Sequence, residues 1–377
     1  TKEYGQYEGK VFAPFHANIP DAQATLKLVL QNINFTLVEQ EFTISLSRPD
    51  YQSIQLVVPD DREYTMLRTG RNQYAVTDNF PAKVKGYIVA PAFGANGNEV
   101  TFGWQNGKVV ENITTTIPFS SFSAGSYAIS FNTLTYEASP FVTVKINDKE
   151  LQVVDDNNSA VVLELAKGDE ITFDGFEDIS NWWLDPSFFD TSGATPKFRA
   201  IDGNYKITAN FAMEYFIVEA TDANGNTARL NADGTGAIWV IGTDIGKPSW
   251  SMNEVGWNDG KALCLAPIGD KKYQMVLTAG PDTDSPVGQT VKASSINFKF
   301  FHQKGWGGEF VYSAISTAST LVFIGDNTGA TGTKPERGDG NLGLYIGETM
   351  EVGASYAFTV DVSGGNTAAV LTVEKLN

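Results

Sequence analysis

Apolar and polar residues alternate with a period of two along much of this chain. The runs YQSIQLVVP (51–59), AKVKGYIVAP (82–91), NEVTFGWQ (98–105), GSYAISFNTL (125–134) and FVTVKIND (141–148) carry this alternation and are bounded by clusters of turn-forming residues. Successive side chains of a strand point to opposite faces, so the pattern predicts half-buried β-strands. The run ATLKLVLQNINFTLV (24–38) fits either an amphipathic helix or a strand, and its alternating, β-branched content predicts strand.

From residue 138 onward SPFVTVKINDKELQVVDDNNSAVVLELAKGDEITFDGF reads as consecutive hairpins, with NDK, DDNNS and KGD as turns whose side chains can bond their own backbone. FEDISNWWLDPSFFD (176–190) interrupts them, and DGNYKITANFAMEYFIVEATDANGN (202–226) resumes two strands. The stretch NADGTG (231–236) marks a boundary, after which AIWVIG (237–242), apolar on both parities, predicts a central strand. SYAFTVDVSGGNTAAVLTVEKL (355–376) predicts a closing hairpin. Two long Gly-rich segments, 243–261 and 325–343, read as loops, and loops of such length are more often binding elements than spacers. The expected fold class is therefore all-β, a series of β-sandwich domains: an N-terminal β-sandwich region at 1–137, an immunoglobulin-like sandwich at 138–230 and a carbohydrate-binding-like sandwich at 231–377.

The segment INFKFFHQKGWGGEF (296–310) divides by parity. Ile296, Phe298 and Phe300 share one face with His302, and that face should enter the core. Asn297, Lys299, Phe301 and Gln303 share the other, which should form a flat, hydrogen-bonding surface. The chain then turns through KGWGGEF, placing Trp306 between glycines where no neighbouring side chain crowds its ring.

Composition narrows the chemistry. With 27 Lys and Arg against 44 Asp and Glu, the net charge of −17 repels phosphate backbones and anionic membrane surfaces, so nucleic acid is not an expected partner. Cys264, the single cysteine, lies in the apolar run KALCLAPI and reads as a small buried hydrophobe. No apolar run of membrane-spanning length is present, so membrane attachment would come only through a lipid anchor upstream of Thr1. His16 and His302 are the only histidines, no nucleophile elbow, zinc or phosphate-loop motif occurs, and a Ser-His-Asp triad has no support. A glycosidase needs two carboxylates, but Glu254, Asp259 and Glu309 lie in Gly-flanked loops without an apolar enclosure to raise a pKa. DANGN (222–226) begins like a calcium loop yet lacks the sixth-position Gly and the distal Glu, and a turn through Asn224-Gly225 is favoured. No metal, cofactor or catalytic residue is expected.

Sugar rings present C–H patches on one face and hydroxyls at the edge, so a protein that binds them needs aromatic surface flanked by amides and charges. Trp306 supplies the surface, with Lys299, Gln303 and Glu309 as hydrogen-bonding groups. Trp250 and Trp257, seven residues apart in the polar loop GTDIGKPSWSMNEVGWNDGK (242–261), add two further platforms. The alternative is that Trp306 caps the sandwich and Phe301 fills a gap. Trp239 reads as core, Trp182 and Trp183 as a plug of the middle domain or its interface with the third, and Trp104 fits either role.

The strand IWVIG, the Trp-bearing loop and NFKFF followed by a Gly- and Trp-containing turn resemble the C-terminal modules of SusE- and SusF-like outer-membrane lipoproteins of Bacteroidota. More closely, WWLDPSFF, DGTGAIWVIG, GKPSW, VGW and INFKFFHQKGWGGEF, over about residues 140–377, are similar to an uncharacterised Bacteroidota family that pairs an immunoglobulin-like domain with a carbohydrate-binding-like one. The resemblance implies a non-catalytic lipoprotein at the outer-membrane cell surface that captures a polysaccharide or oligosaccharide for uptake, with a porin-type uptake complex as partner. By motif position it maps the ligand-contacting lysine to Lys299 and a loop aromatic to Trp250 or Trp257. The chain departs from the relatives in the continuation HQKGWGGEF and in carrying a single such module at its C-terminus. The expected function is non-catalytic glycan binding through Trp250, Trp257, Lys299, Gln303, Trp306 and Glu309. Its rivals are a structural or adhesive surface protein that uses the same aromatics against a protein partner, and a glycoside hydrolase.

Overall fold

The computed structural model describes residues 49–93 and 98–377, together with the backbone of two paired strands, Ala22–Gln31 and Leu37–Leu46. The fold is all-β: the described helices are three single 3-10 turns, and none is long or apolar enough to cross a membrane. The run 24–38 holds most of one strand and the start of the next, with residues 32–36 outside the described set. His16 also lies outside the described residues.

The chain forms two compact units, Thr1–Val142 and Thr143–Asn377. In the first, alternation becomes burial directly. Ile54 and Leu56 point inward from Ser53–Val57, as do Val84, Ile88 and Ala90 from Lys83–Ala90. The strand Lys83–Ala90 changes partners along its length. Residues 83–86 pair with Ile117–Ser120, whereas 87–90 lie between Ser53–Val57 and Val100–Gln105. That switch folds the sheet over one core in which Tyr74, Phe102, Phe119 and Phe131 are buried. Trp104 is half-buried against Phe141, ring centroids 5.4 Å apart.

Two sheets dominate the second unit. A four-stranded sheet runs Gln152–Val153, Asn158–Leu165, Gly203–Asn210 and Tyr215–Thr221. Its inner face carries Tyr205, Ile207 and Ala209, and Trp182 closes one end in a cluster with Phe173, Phe176, Phe211 and Phe216. A larger sheet is built around Trp239–Gly246, which pairs with Asn297–Phe301, Glu254–Gly256 and Leu263–Cys264. Residues 237–241 are fully buried, as expected of a central strand apolar on both parities. Ser355–Asp361 and Ala369–Lys375 form the closing hairpin. The segment 243–261, read from sequence as a loop, is partly strand: the central strand continues to Gly246 and Glu254–Gly256 pairs back onto it.

The two sheets are joined by specific polar contacts. Lys247 bonds Asp185, both nearly inaccessible. Ser187 Oγ accepts from Val276 N at 3.0 Å, Trp239 Nε1 donates to Ala228 O at 3.0 Å, and Leu230 N donates to His302 O at 2.8 Å. Trp183 reaches Gly288, whose added Cβ would lie 3.3 Å from its Nε1. Cys264 is buried at the same seam, within 3.5 Å of Ala220 N, and burial pushes its thiol pKa up to about 12. It is inert as a nucleophile at neutral pH.

Candidate functional site

The strand Asn297–Phe301 positions the segment singled out by parity. Ile296, Phe298 and Phe300 are fully buried, as the alternation requires. Phe301 is fully buried too, so it fills a gap, the alternative to the open face that parity gives it. Directly across from it stands Trp239, and Trp306 caps it edge-on, ring centroids 5.9 Å apart and planes at 82°. The strand here is covered on both sides, so period-two logic, which presumes one solvated face, fails at its end. His302 lies with its ring edge-on against Phe310 at 4.4 Å. Its Nε2 is buried without a partner, and burial holds its pKa below the usual imidazole range.

Beyond His302 the chain reverses through Gln303–Glu309. Gln303 Nε2 donates to Trp306 O at 2.5 Å, and His302 N donates to Gly308 O at 2.7 Å. Gly305 and Gly307 have φ values of 128° and 92°, which a side chain rarely tolerates. The turn is thus closed by side-chain and backbone bonds and requires its glycines. It lifts Trp306 into solvent on top of Phe301, 51% exposed. Glu309 bridges back to Phe301 and is half-buried.

A second turn brings Trp257 alongside. After Glu254–Gly256 the chain enters the 3-10 turn Asp259–Lys261, capped by Asn258, whose Oδ1 accepts from Gly260 N at 3.0 Å. Trp257, 40% exposed, lies nearly parallel to Trp306, with centroids 6.4 Å apart and planes at 21°. Asp259 completes the junction: a Cβ on Gly305 would lie 3.8 Å from its Oδ2. Two exposed, near-parallel indoles on bonded turns, with Asp259 at their junction and Gln303 and Glu309 on the turn that carries Trp306, form an apolar platform with polar groups on its supporting turns.

The six residues expected from sequence therefore separate. Trp257, Trp306, Gln303 and Glu309 belong to the two apposed turns. Trp250 is placed elsewhere: it is buried, its Nε1 donates to Pro281 O at 3.0 Å, and the Lys292 ammonium sits 5.4 Å over its ring. An indole so enclosed offers no face to a ligand. Lys299 is half-buried under Gly340, whose added Cβ would stand 3.0 Å from its Cε. DANGN forms a turn, with Asp222 Oδ1 accepting from Asn224 N at 2.8 Å and from Asn226 N at 3.0 Å. The described residues include no cluster of three metal-ligating side chains.

Sequence reasoning missed what lies beside the platform. A cavity of about 400 Å³ opens between the outer face of the four-stranded sheet and residues 260–264, which run from the 3-10 turn into the strand Leu263–Cys264. Register sets its floor: Lys206 faces Glu219, Thr208 faces Ile217 and Asn210 faces Tyr215. Lys247, Asn253, Lys261 and Lys304 contribute from the other side. The parity of the hairpin 203–221 already puts Lys206 and Glu219 on one face, but nothing in the sequence says what faces it.

Residues 43–230 match the family model described as "Domain of unknown function (DUF5125)", and residues 233–363 match that described as "Domain of unknown function (DUF5121)". No curated protein matches the chain. Among solved structures, that of SusF from Bacteroides thetaiotaomicron is 13% identical, with 94% of this chain and 82% of that chain covered, at a TM-score of 0.20. The chain is thus similar to two domain families in tandem, which meet between residues 230 and 233.

Proposed function

We propose that this protein is a non-catalytic glycan-binding protein whose ligand lies on the Trp257–Trp306 platform. The observation that carries this reading is the pair of near-parallel indoles, 40% and 51% exposed, on two turns fixed by internal hydrogen bonds. Exposed tryptophans are costly to leave in water unless they meet a partner, and two parallel faces match the repeating C–H faces of a saccharide chain. Gln303, Glu309 and Asp259, carried by the same two turns, would supply hydrogen-bonding groups to hydroxyls at the ring edges. The motif resemblance to SusE- and SusF-like lipoproteins supports the same reading, and with it capture of a polysaccharide at the outer-membrane surface in company with a porin-type uptake complex. The division into sandwiches at 1–137, 138–230 and 231–377 belongs to this proposal, with the second and third joined along the polar seam into one unit.

Stacking with a few exposed hydrogen bonds gives modest affinity, about −8 kcal/mol or weaker per site, which is micromolar at best. Affinity electrophoresis against a panel of polysaccharides, with reducing ends assayed in parallel, tests the proposal. Retardation by at least one glycan without release of sugar is expected. Released sugar would make the protein a hydrolase, and no retardation by any glycan would favour the adhesive alternative.

A further inference from the structure

We infer that the lysine-lined cavity beside the platform binds an anionic substituent of a sugar, a carboxylate or a sulfate, so that the glycan recognised is an acidic one. The inference rests on the glycan reading and specifies its substrate class.

Charge points this way first. The whole chain has 27 basic residues to 44 acidic ones, whereas the cavity is lined by Lys206, Lys247, Lys261 and Lys304 against Asp155, Asp185 and Glu219. Four cations to three anions reverses the balance of the molecule. Within the cavity the pairing is uneven. Lys247 and Asp185 neutralise each other. Glu219, 4% accessible, is shared: Lys304 Nζ bonds its Oε1 at 2.5 Å and Lys206 Nζ lies 3.9 Å from its Oε2. Lys261 Nζ donates only to a neutral group, Glu254 O, at 3.1 Å. Asp155 is bound by its own turn, through Asn157 N at 2.9 Å and Asn158 Nδ2 at 2.8 Å. One carboxylate thus serves two ammoniums, with a third ammonium unneutralised nearby. Lys261 is exposed at the rim, whereas Lys206 and Lys304 are partly covered and share a single carboxylate, so the cavity presents a net positive charge that attracts an anion.

Size and position agree. A cavity of about 400 Å³ lies within the ~300–1,000 Å³ range of small-ligand sites. Lys304 lies two residues from Trp306 and Lys261 four from Trp257, so the turns that carry the indoles also carry two of the cavity's lysines. Chain geometry limits Lys304 and Trp306 to about 7 Å between Cα atoms. A glycan stacked on the indoles can therefore direct a charged substituent into the cavity.

The test is affinity electrophoresis of the full chain through gels containing polygalacturonate, fully methyl-esterified pectin, dextran sulfate or neutral dextran, at two salt concentrations. Retardation by polygalacturonate or by dextran sulfate, whichever anion fits, should exceed that by the neutral polymers by at least about tenfold in apparent affinity and weaken with salt. Lys206→Gln, which leaves the Lys304–Glu219 pair in place, should reduce that preference severalfold. Glu219→Gln removes the resident anion and should strengthen it, an effect that a merely structural role would not produce. Equal retardation by charged and neutral glycans, or a preference unmoved by Lys206→Gln, overturns this inference. If Trp306→Ala still abolishes neutral-glycan binding in that case, the platform stands without the cavity; a charge preference that survives Trp306→Ala would instead contradict the platform.

Discussion

At the residue scale, the chain separates its tryptophans by what covers them. Trp239 and Trp250 are enclosed with their Nε1 groups bonded to backbone carbonyls, whereas Trp257 and Trp306 are open. Sequence could flag aromatics in a Gly-rich loop but could not tell Trp250 from Trp257, because the loop around Pro281 that buries the former is distant in the chain. For Phe301 the sequence left an open face and a gap-filling role unresolved for the same reason, since its cover comes from Trp306 and from the cross-strand Trp239. The buried Lys247–Asp185 pair belongs to this scale too. Removing one partner leaves an uncompensated buried charge, so Lys247→Ala should cost about 3–5 kcal/mol in chemical denaturation. Replacing both residues by apolar ones of similar size should cost much less. His302 predicts a pH dependence. Its pKa is lowered from 6.5 by burial, so below pH 6.5 the unfolded chain takes up a proton that the folded chain resists. Stability is full above that pH and falls as pH drops toward the lowered folded value. Denaturation midpoints between pH 7.5 and 5 should fall in the wild type, with a shallower slope in His302→Gln.

At the element scale, alternation located most strands and the closing hairpin correctly, because burial on one face writes itself into every second residue. It was weakest where a strand is covered on both faces, at the end of Asn297–Phe301, and where a Gly-rich segment pairs irregularly, as 243–261 does. The turn 303–309 was legible through its glycines, but its role as a support for Trp306 depends on the bond from Gln303 and on Phe301 beneath. Gly305, at φ 128°, holds a conformation that costs a side chain roughly 1–3 kcal/mol. Gly305→Ala should therefore weaken glycan retardation by more than it lowers the melting temperature, because the turn can relax while the core strand persists. Equal loss of both would place the turn in the folding core.

For the whole molecule, the all-β class followed from composition and periodicity, while the fusion of two sheets in residues 143–377 did not. That fusion rests on contacts far apart in sequence, among them Lys247 with Asp185, Ser187 with Val276 and Trp239 with Ala228. A seam with buried charge and hydrogen bonds gives neither sheet an intact surface alone. Amide hydrogen exchange on the full chain should show Gly203–Asn210 and Trp239–Gly246 losing protection together, and Lys247→Ala should accelerate both. Independent exchange of the two strands would argue for separable sandwiches.

The most direct test of the central claim is affinity electrophoresis of the Trp257→Ala, Trp306→Ala double variant beside the wild type and a Trp250→Phe control, on the glycan that retards the wild type most. The double variant should migrate as though no glycan were present while keeping its cooperative unfolding, and Trp250→Phe should be retarded like the wild type. Undiminished retardation of the double variant would contradict the assignment of the platform.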